Sequence, residues 1–93
     1  MKAIWNGVVI AESDEVILFD QNQYFPLESL TSEFFKPNAK TTVCAWKGTA
    51  NYYDVVVNGK TNDGAAWYYA DPSPKAQPIK GRVAFWRGVS VTA

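Results

Sequence analysis

The chain has no histidine and a single cysteine, Cys44. A disulfide needs two cysteines and a structural zinc site normally draws four ligands from Cys and His, so neither can form within one chain. The same lack removes Ser–His and Cys–His nucleophilic pairs and leaves a carboxylate, a lysine or a tyrosine with a displaced pKa as the available general base. Long apolar runs are also missing: Val55-Val56-Val57 is typical of the longest, and Met1-Lys2 leads into no signal-like stretch. The expected address is therefore the cytoplasm, with no membrane partner. There is no G-x-x-x-x-G-K-[ST] phosphate cradle and no G-x-G-x-x-G turn. Excess charge is absent as well, with nine basic against nine acidic residues, so no global field favours a nucleic-acid backbone and nucleic acid is not an expected partner.

What the 93 residues do contain is a folded domain's worth of apolar side chains, 47% hydrophobic and 15% aromatic. A chain of this length makes one domain, residues 1–93, and most of its 14 large aromatics must share one small core. Charge is unevenly placed. Residues 1–35 carry one base, Lys2, against six acids, while the remainder carries eight bases against three acids. In one small domain this pattern reads first as acidic and basic strands flanking each other, and second as an anion site near Lys75, Lys80, Arg82 and Arg87.

Turn chemistry divides the chain. Asn6-Gly7 and Asn58-Gly59 supply the positive φ angles of two-residue hairpins, and the flanking Ala3–Trp5, Val8–Ala11 and Ala50–Val57 read as strands. Val16–Phe19, Tyr24-Phe25, Thr41–Trp46 and Ala65–Ala70 read as further strands, and Arg82–Trp86 with Val89–Val91 as a closing hairpin around Arg87-Gly88. Leu27, Leu30 and Phe34 recur at helical spacing after Pro26, which predicts one short helix over 27–35 ended by Pro37. A single helical turn is expected from Pro74 to Ala76. The period of two puts Thr42, Cys44 and Trp46 on one face of their strand. Trp-x-Gly occurs at Trp5, Trp46 and Trp86, and 93 residues are too few for a repeat of that period, so it reads as a recurrent strand-end turn. The expected architecture is mainly β, a single rolled sheet or open barrel with one short helix and no metal.

Several blocks taken together resemble a known family. They are Ala3-Ile4-Trp5-Asn6-Gly7, Tyr24-Phe25-Pro26, Thr41 to Ala50, Tyr52-Tyr53, Ala65-Ala66-Trp67-Tyr68-Tyr69, Asp71-Pro72-Ser73-Pro74, Ile79-Lys80-Gly81 and Val83-Ala84-Phe85-Trp86. In this order they resemble the bacterial domain of unknown function numbered 427, whose usual Cys-Pro-Trp-Lys-Gly is here Cys44-Ala45-Trp46-Lys47-Gly48. The resemblance implies a mainly β fold similar to that of the small zinc-binding exchange factor for Rab GTPases, without its metal. The family also carries a nucleotidyltransferase-like label. Two-metal nucleotidyl transfer needs closely spaced carboxylates, whereas Gly48-Thr49 leads here to a lone Asp54, with Asp63 and Asp71 expected at separate turns.

Cys44 beside Lys47 fits an activated thiolate, although a cysteine on a strand is more often a small buried hydrophobe. The rings of Trp46, Tyr52, Tyr53, Trp67, Tyr68, Tyr69 and Trp86 fit a ligand pocket, and equally the two ends of a small core. Asp71-Pro72-Ser73-Pro74 fits a rigid turn or a rim residue that orients Lys47 or Lys80. The leading expectation is a pocket for a small polar or anionic metabolite lined by Cys44, Trp46, Lys47, Tyr52, Tyr53, Trp67, Tyr69, Asp71 and Lys80, needing no cofactor and no metal. Rings would supply contact area, Lys47 and Lys80 charge, and Cys44 packing or a reactive thiol. The alternatives are a protein-interaction module with an exposed aromatic face, and a thiol-dependent or nucleotidyltransferase-like enzyme. The leading reading assigns no catalytic step.

Overall fold

The structure is a computed structural model describing residues 1–93. Strands β1 (Lys2–Trp5) and β2 (Val8–Glu12) form the first hairpin, with Asn6 and Gly7 at φ 51° and 75° as the turn chemistry requires. Strand β3 (Ile17–Phe19) pairs with β4 (Asn22–Tyr24) in a two-stranded ribbon. Strands β5 (Phe35–Cys44), β6 (Gly48–Val57), β7 (Lys60–Tyr68) and β8 (Val83–Phe85) make a four-stranded antiparallel sheet, and β9 (Ser90–Thr92) returns to β1.

The fold is mainly β, in three antiparallel sheets that do not close into a barrel. They are held together by backbone pairs outside the strands. Phe25 and Val83 exchange N–H···O bonds of 2.8 and 2.9 Å, tying the β3–β4 ribbon to β8, and the Thr31 N–H donates to the Ile10 carbonyl at 2.9 Å. One core lies between the sheets around Ile10, Phe25, Val55, Val83 and Phe85, and a second gathers Tyr24, Ala50, Tyr69, Ala76, Ile79 and Ala84. The second core underlies the candidate site.

The expected helix over 27–35 is instead two isolated 3-10 turns, Leu27–Ser29 and Ser32–Phe34. Nine residues without a side-chain cap are marginal as a helix. Here Leu30 is also drawn into an extended pairing with Ala11, which helical backbone cannot supply, and Leu27 faces solvent rather than the core. Pro37 does not end a helix but sits within β5 opposite Tyr53, on an edge strand where a missing N–H is tolerated. Asn62-Asp63-Gly64 is likewise no turn: it lies inside β7 at an irregularity facing Asp54, with Gly64 at φ 62°. Arg82–Trp86 and Val89–Val91 form no hairpin, because the Arg87-Gly88 turn passes the chain from the four-stranded sheet to the three-stranded one. The turn at Pro74 runs on to Ile79 as a 3-10 helix that includes Pro78.

Candidate functional site

Strands β6 and β7 run antiparallel with Tyr52 opposite Trp67. Their period of two sends both rings to the same face, away from Tyr53 and Tyr68. Tyr69 follows β7, and Trp86 follows β8 with its indole N–H on the Gly64 carbonyl at 2.6 Å. The Trp67 and Trp86 rings meet edge to face at 5.9 Å. Lys47 reaches over from the β5–β6 turn, and the five residues line an open cleft of about 170 Å³.

Lys47 is the cleft's electrostatic centre. Its ammonium forms an ion pair with Asp20, the only one in the protein, and lies 5.2 Å from the Trp46 ring and 5.9 Å from the Tyr69 ring. Its side chain is 9% exposed, against 46% for Asp20. Burial pulls the ammonium's pKa down, but the Asp20 hydrogen bond and the charges of Tyr24, Tyr69 and Asp20 outweigh it and hold the group above the ordinary lysine value. Burial pushes the Tyr24 phenol up against the opposing pull of the Trp67 hydrogen bond and Lys47, and pushes Tyr69 up against the pull of Lys47. The Tyr24 hydroxyl accepts the Trp67 indole N–H at 3.3 Å.

Of the nine residues expected to form the site, Lys47, Tyr52, Trp67 and Tyr69 line the cleft together. Trp46 stands beside it, tilted on Phe19 at 5.8 Å and carrying Lys47 on its ring. Cys44 is half-buried against the second core rather than in the cleft lining. Tyr53 faces the opposite side of the sheet, stacked on Tyr68 at 4.9 Å. Lys80 lines a separate depression with Arg82 and Leu27. Asp71 contributes backbone: its carbonyl and the Pro72 Cα lie beside Gly48, and the Ser73 N–H donates to the Lys47 carbonyl at 2.8 Å, fixing the turn that carries Lys47. Gly48 is required by its backbone, at φ 118°, rather than by lack of space. The site residues absent from the expected set are Asp20, Tyr24 and Trp86.

The family comparison agrees with this arrangement of blocks. The domain of unknown function DUF427 matches residues 1–92. The chain belongs to that family. Among curated proteins, none matches. For this DUF427 domain the nucleotidyltransferase-like reading meets one unexpected juxtaposition, since Asp54 and Asp63 are not apart. The Asn38 side-chain amide donates to Asp54 Oδ1 at 2.7 Å and to Asp63 Oδ1 at 3.1 Å, and the Gly64 N–H donates to Asp54 Oδ1 at 2.8 Å. Burial would raise the Asp54 pKa, but the bonds from Asn38 and Gly64 and the Asp63 contact carry it below the ordinary value. These donors engage Oδ1 of each carboxylate, and no group of three His, Cys, Asp or Glu side chains gathers where a metal could be held. No helix of the DUF427 domain is long and apolar enough to cross a membrane.

Proposed function

We propose that the protein binds a small polar metabolite in the cleft between Lys47 and the rings of Tyr52, Trp67, Tyr69 and Trp86. One observation carries the reading. A lysine whose side chain is nine-tenths buried turns its ammonium into an aromatic cleft, and only Asp20 accepts from it. An ammonium offers three donors, so two remain for an acceptor on a ligand. The rings offer flat apolar walls to its body. Lys47, Tyr24 and Tyr69 all hold their protons above their ordinary values, so none of these three is poised as a base at neutral pH. Cys44 packs behind the cleft and gives a thiol mechanism no support.

The test is a fragment screen read by the indole N–H and amide shifts of the labelled chain. Hits are expected to concentrate on Trp67, Trp86 and the Lys47-Gly48 turn, and to be lost in Lys47→Met. Fragments that instead cluster over Leu27, Phe35 and Tyr53, the apolar groove on the far side of the sheet, would refute it.

A further inference from the structure

We infer that Asp20 sets the charge selectivity of this cleft, so that it takes a neutral planar ligand bearing a hydrogen-bond acceptor in preference to an anion. The inference rests on the binding reading above and names the ligand class for the same site. Lys47 is the one cation among the five lining residues: Lys80 and Arg82 face another depression, and Lys40 and Arg87, which lie against the Tyr52 and Trp86 rings at 5.2 and 4.6 Å, are exposed to solvent that screens them. Its charge is already cancelled by the carboxylate in contact with it. An anion approaching the remaining Nζ donors would stand beside the Asp20 carboxylate, and in a partly desolvated cleft that repulsion offsets what Lys47 offers. A carbonyl or ring nitrogen meets no such opposition and uses the same donors. Size permits one small ring: a closed apolar cavity of about 150 Å³ holds a benzene, and this open, mixed-lined cleft measures about 170 Å³.

The fold delivers Asp20 by a turn unlike the others in this chain. The turns at Asn6-Gly7, Asn58-Gly59 and Arg87-Gly88 place glycine at the second left-handed position, whereas the β3–β4 turn puts Asp20 and Gln21 at φ 47° and 68°. Aspartate is among the few L-residues that tolerate this conformation, so the carboxylate can be carried there without losing the hairpin.

The experiment titrates the full chain with nicotinamide and with nicotinate, a matched neutral and anionic pair, following the Trp67 and Trp86 indole shifts. The wild type is expected to bind nicotinamide at least about ten-fold more tightly, and Asp20→Asn to move the ratio at least about ten-fold toward nicotinate. Asp20→Gly, which suits the left-handed backbone, serves the same purpose should the asparagine variant disturb the ribbon. A wild type that prefers nicotinate, or a ratio unmoved in both folded variants, overturns the selectivity while leaving the cleft a binding site. Indoles unmoved by either probe in every protein overturn the binding reading and this inference with it.

Discussion

Cutting the Lys47–Asp20 pair from its two ends should have unequal consequences. Asp20→Asn keeps the left-handed turn but leaves a largely buried ammonium without its counter-charge. Breaking a fully buried pair this way costs about 3–5 kcal/mol, and an exposed pair is worth about 0–1 kcal/mol. With side chains 9% and 46% exposed, this pair lies between those limits. The asparagine oxygen also retains one acceptor, so a loss of about 1–2 kcal/mol is expected. Lys47→Met removes the charge instead, fills nearly the same volume with a thioether among Trp46 and Tyr69, and leaves Asp20 free to meet water; the expected change is within about 1 kcal/mol of zero. Urea unfolding at pH 7 reads both. With a slope of about 1 kcal/mol/M for a domain of this size, Asp20→Asn should lower the midpoint by about 1–2 M and Lys47→Met should barely move it. The double variant should recover most of the Asp20→Asn loss. A larger loss in Lys47→Met than in Asp20→Asn would refute the claim that burial of the lysine charge dominates the pair.

Other expectations can be read from the same unfolding curves. Gly48→Ala meets Asp71 and Pro72 at ordinary contact distances of 3.5 and 3.6 Å, so its cost comes from forcing a Cβ onto φ 118°. That cost should be about 2 kcal/mol, or a fall in Tm of about 10 °C. Lys47 and the phenols of Tyr24, Tyr53 and Tyr69 have raised folded pKa values, so their contribution is fully present below the unfolded values near pH 10 and is lost as pH rises through the folded ones. The urea midpoint should therefore hold from pH 7 to 9 and drop above about 10. Asp54 works in the other direction, contributing above its unfolded value near pH 4 and losing that contribution as pH falls through its lowered folded value. Cys44→Ser should cost about 1 kcal/mol by weakening the second core while leaving ligand-induced shifts intact; loss of those shifts would instead bring the thiol into the site.

Legibility in the sequence followed the range of the forces involved. The Asn-Gly turns and the hairpin they close are local, and Asn6 and Asn58 adopt the left-handed backbone that their dipeptides demand. Alternation along β7 separates Trp67 from Tyr68, whereas only the pairing with β6 puts Tyr52 opposite Trp67. Alternation fails for Trp46, because β5 ends at Cys44 and the ring turns onto Phe19. The segment from Leu27 to Phe34 carries a true helical period, yet a backbone pairing with Ala11 decides its shape, and nothing local signals that contact. Asp20 was invisible for the same reason. It was legible only as one of six acids in an acidic half; the partner lies 27 residues away in another turn, and only the β3–β4 ribbon brings it there.

That ribbon also makes the second core part of the site, as Tyr24 shows. The ring is fully buried, stands edge-on to Trp67 at 6.4 Å, and its hydroxyl takes the Trp67 indole N–H. Tyr24→Phe keeps the packing and removes only the acceptor. In a closed core the orphaned donor would cost about 1–3 kcal/mol. Trp67, however, is only half-buried and lines the open cleft, so a loss at the lower end of that range, about 1 kcal/mol, is expected. The freed donor should then exchange with solvent faster and shift upfield, while the Trp86 indole, held by the Gly64 carbonyl, should not change. An acceptor-bearing ligand that gains affinity in Tyr24→Phe would place the Trp67 N–H at the bound molecule. Equal affinity would leave Lys47 as the donor that holds it. Slow exchange at Trp67 in the variant would contradict the openness of the cleft on which both outcomes depend.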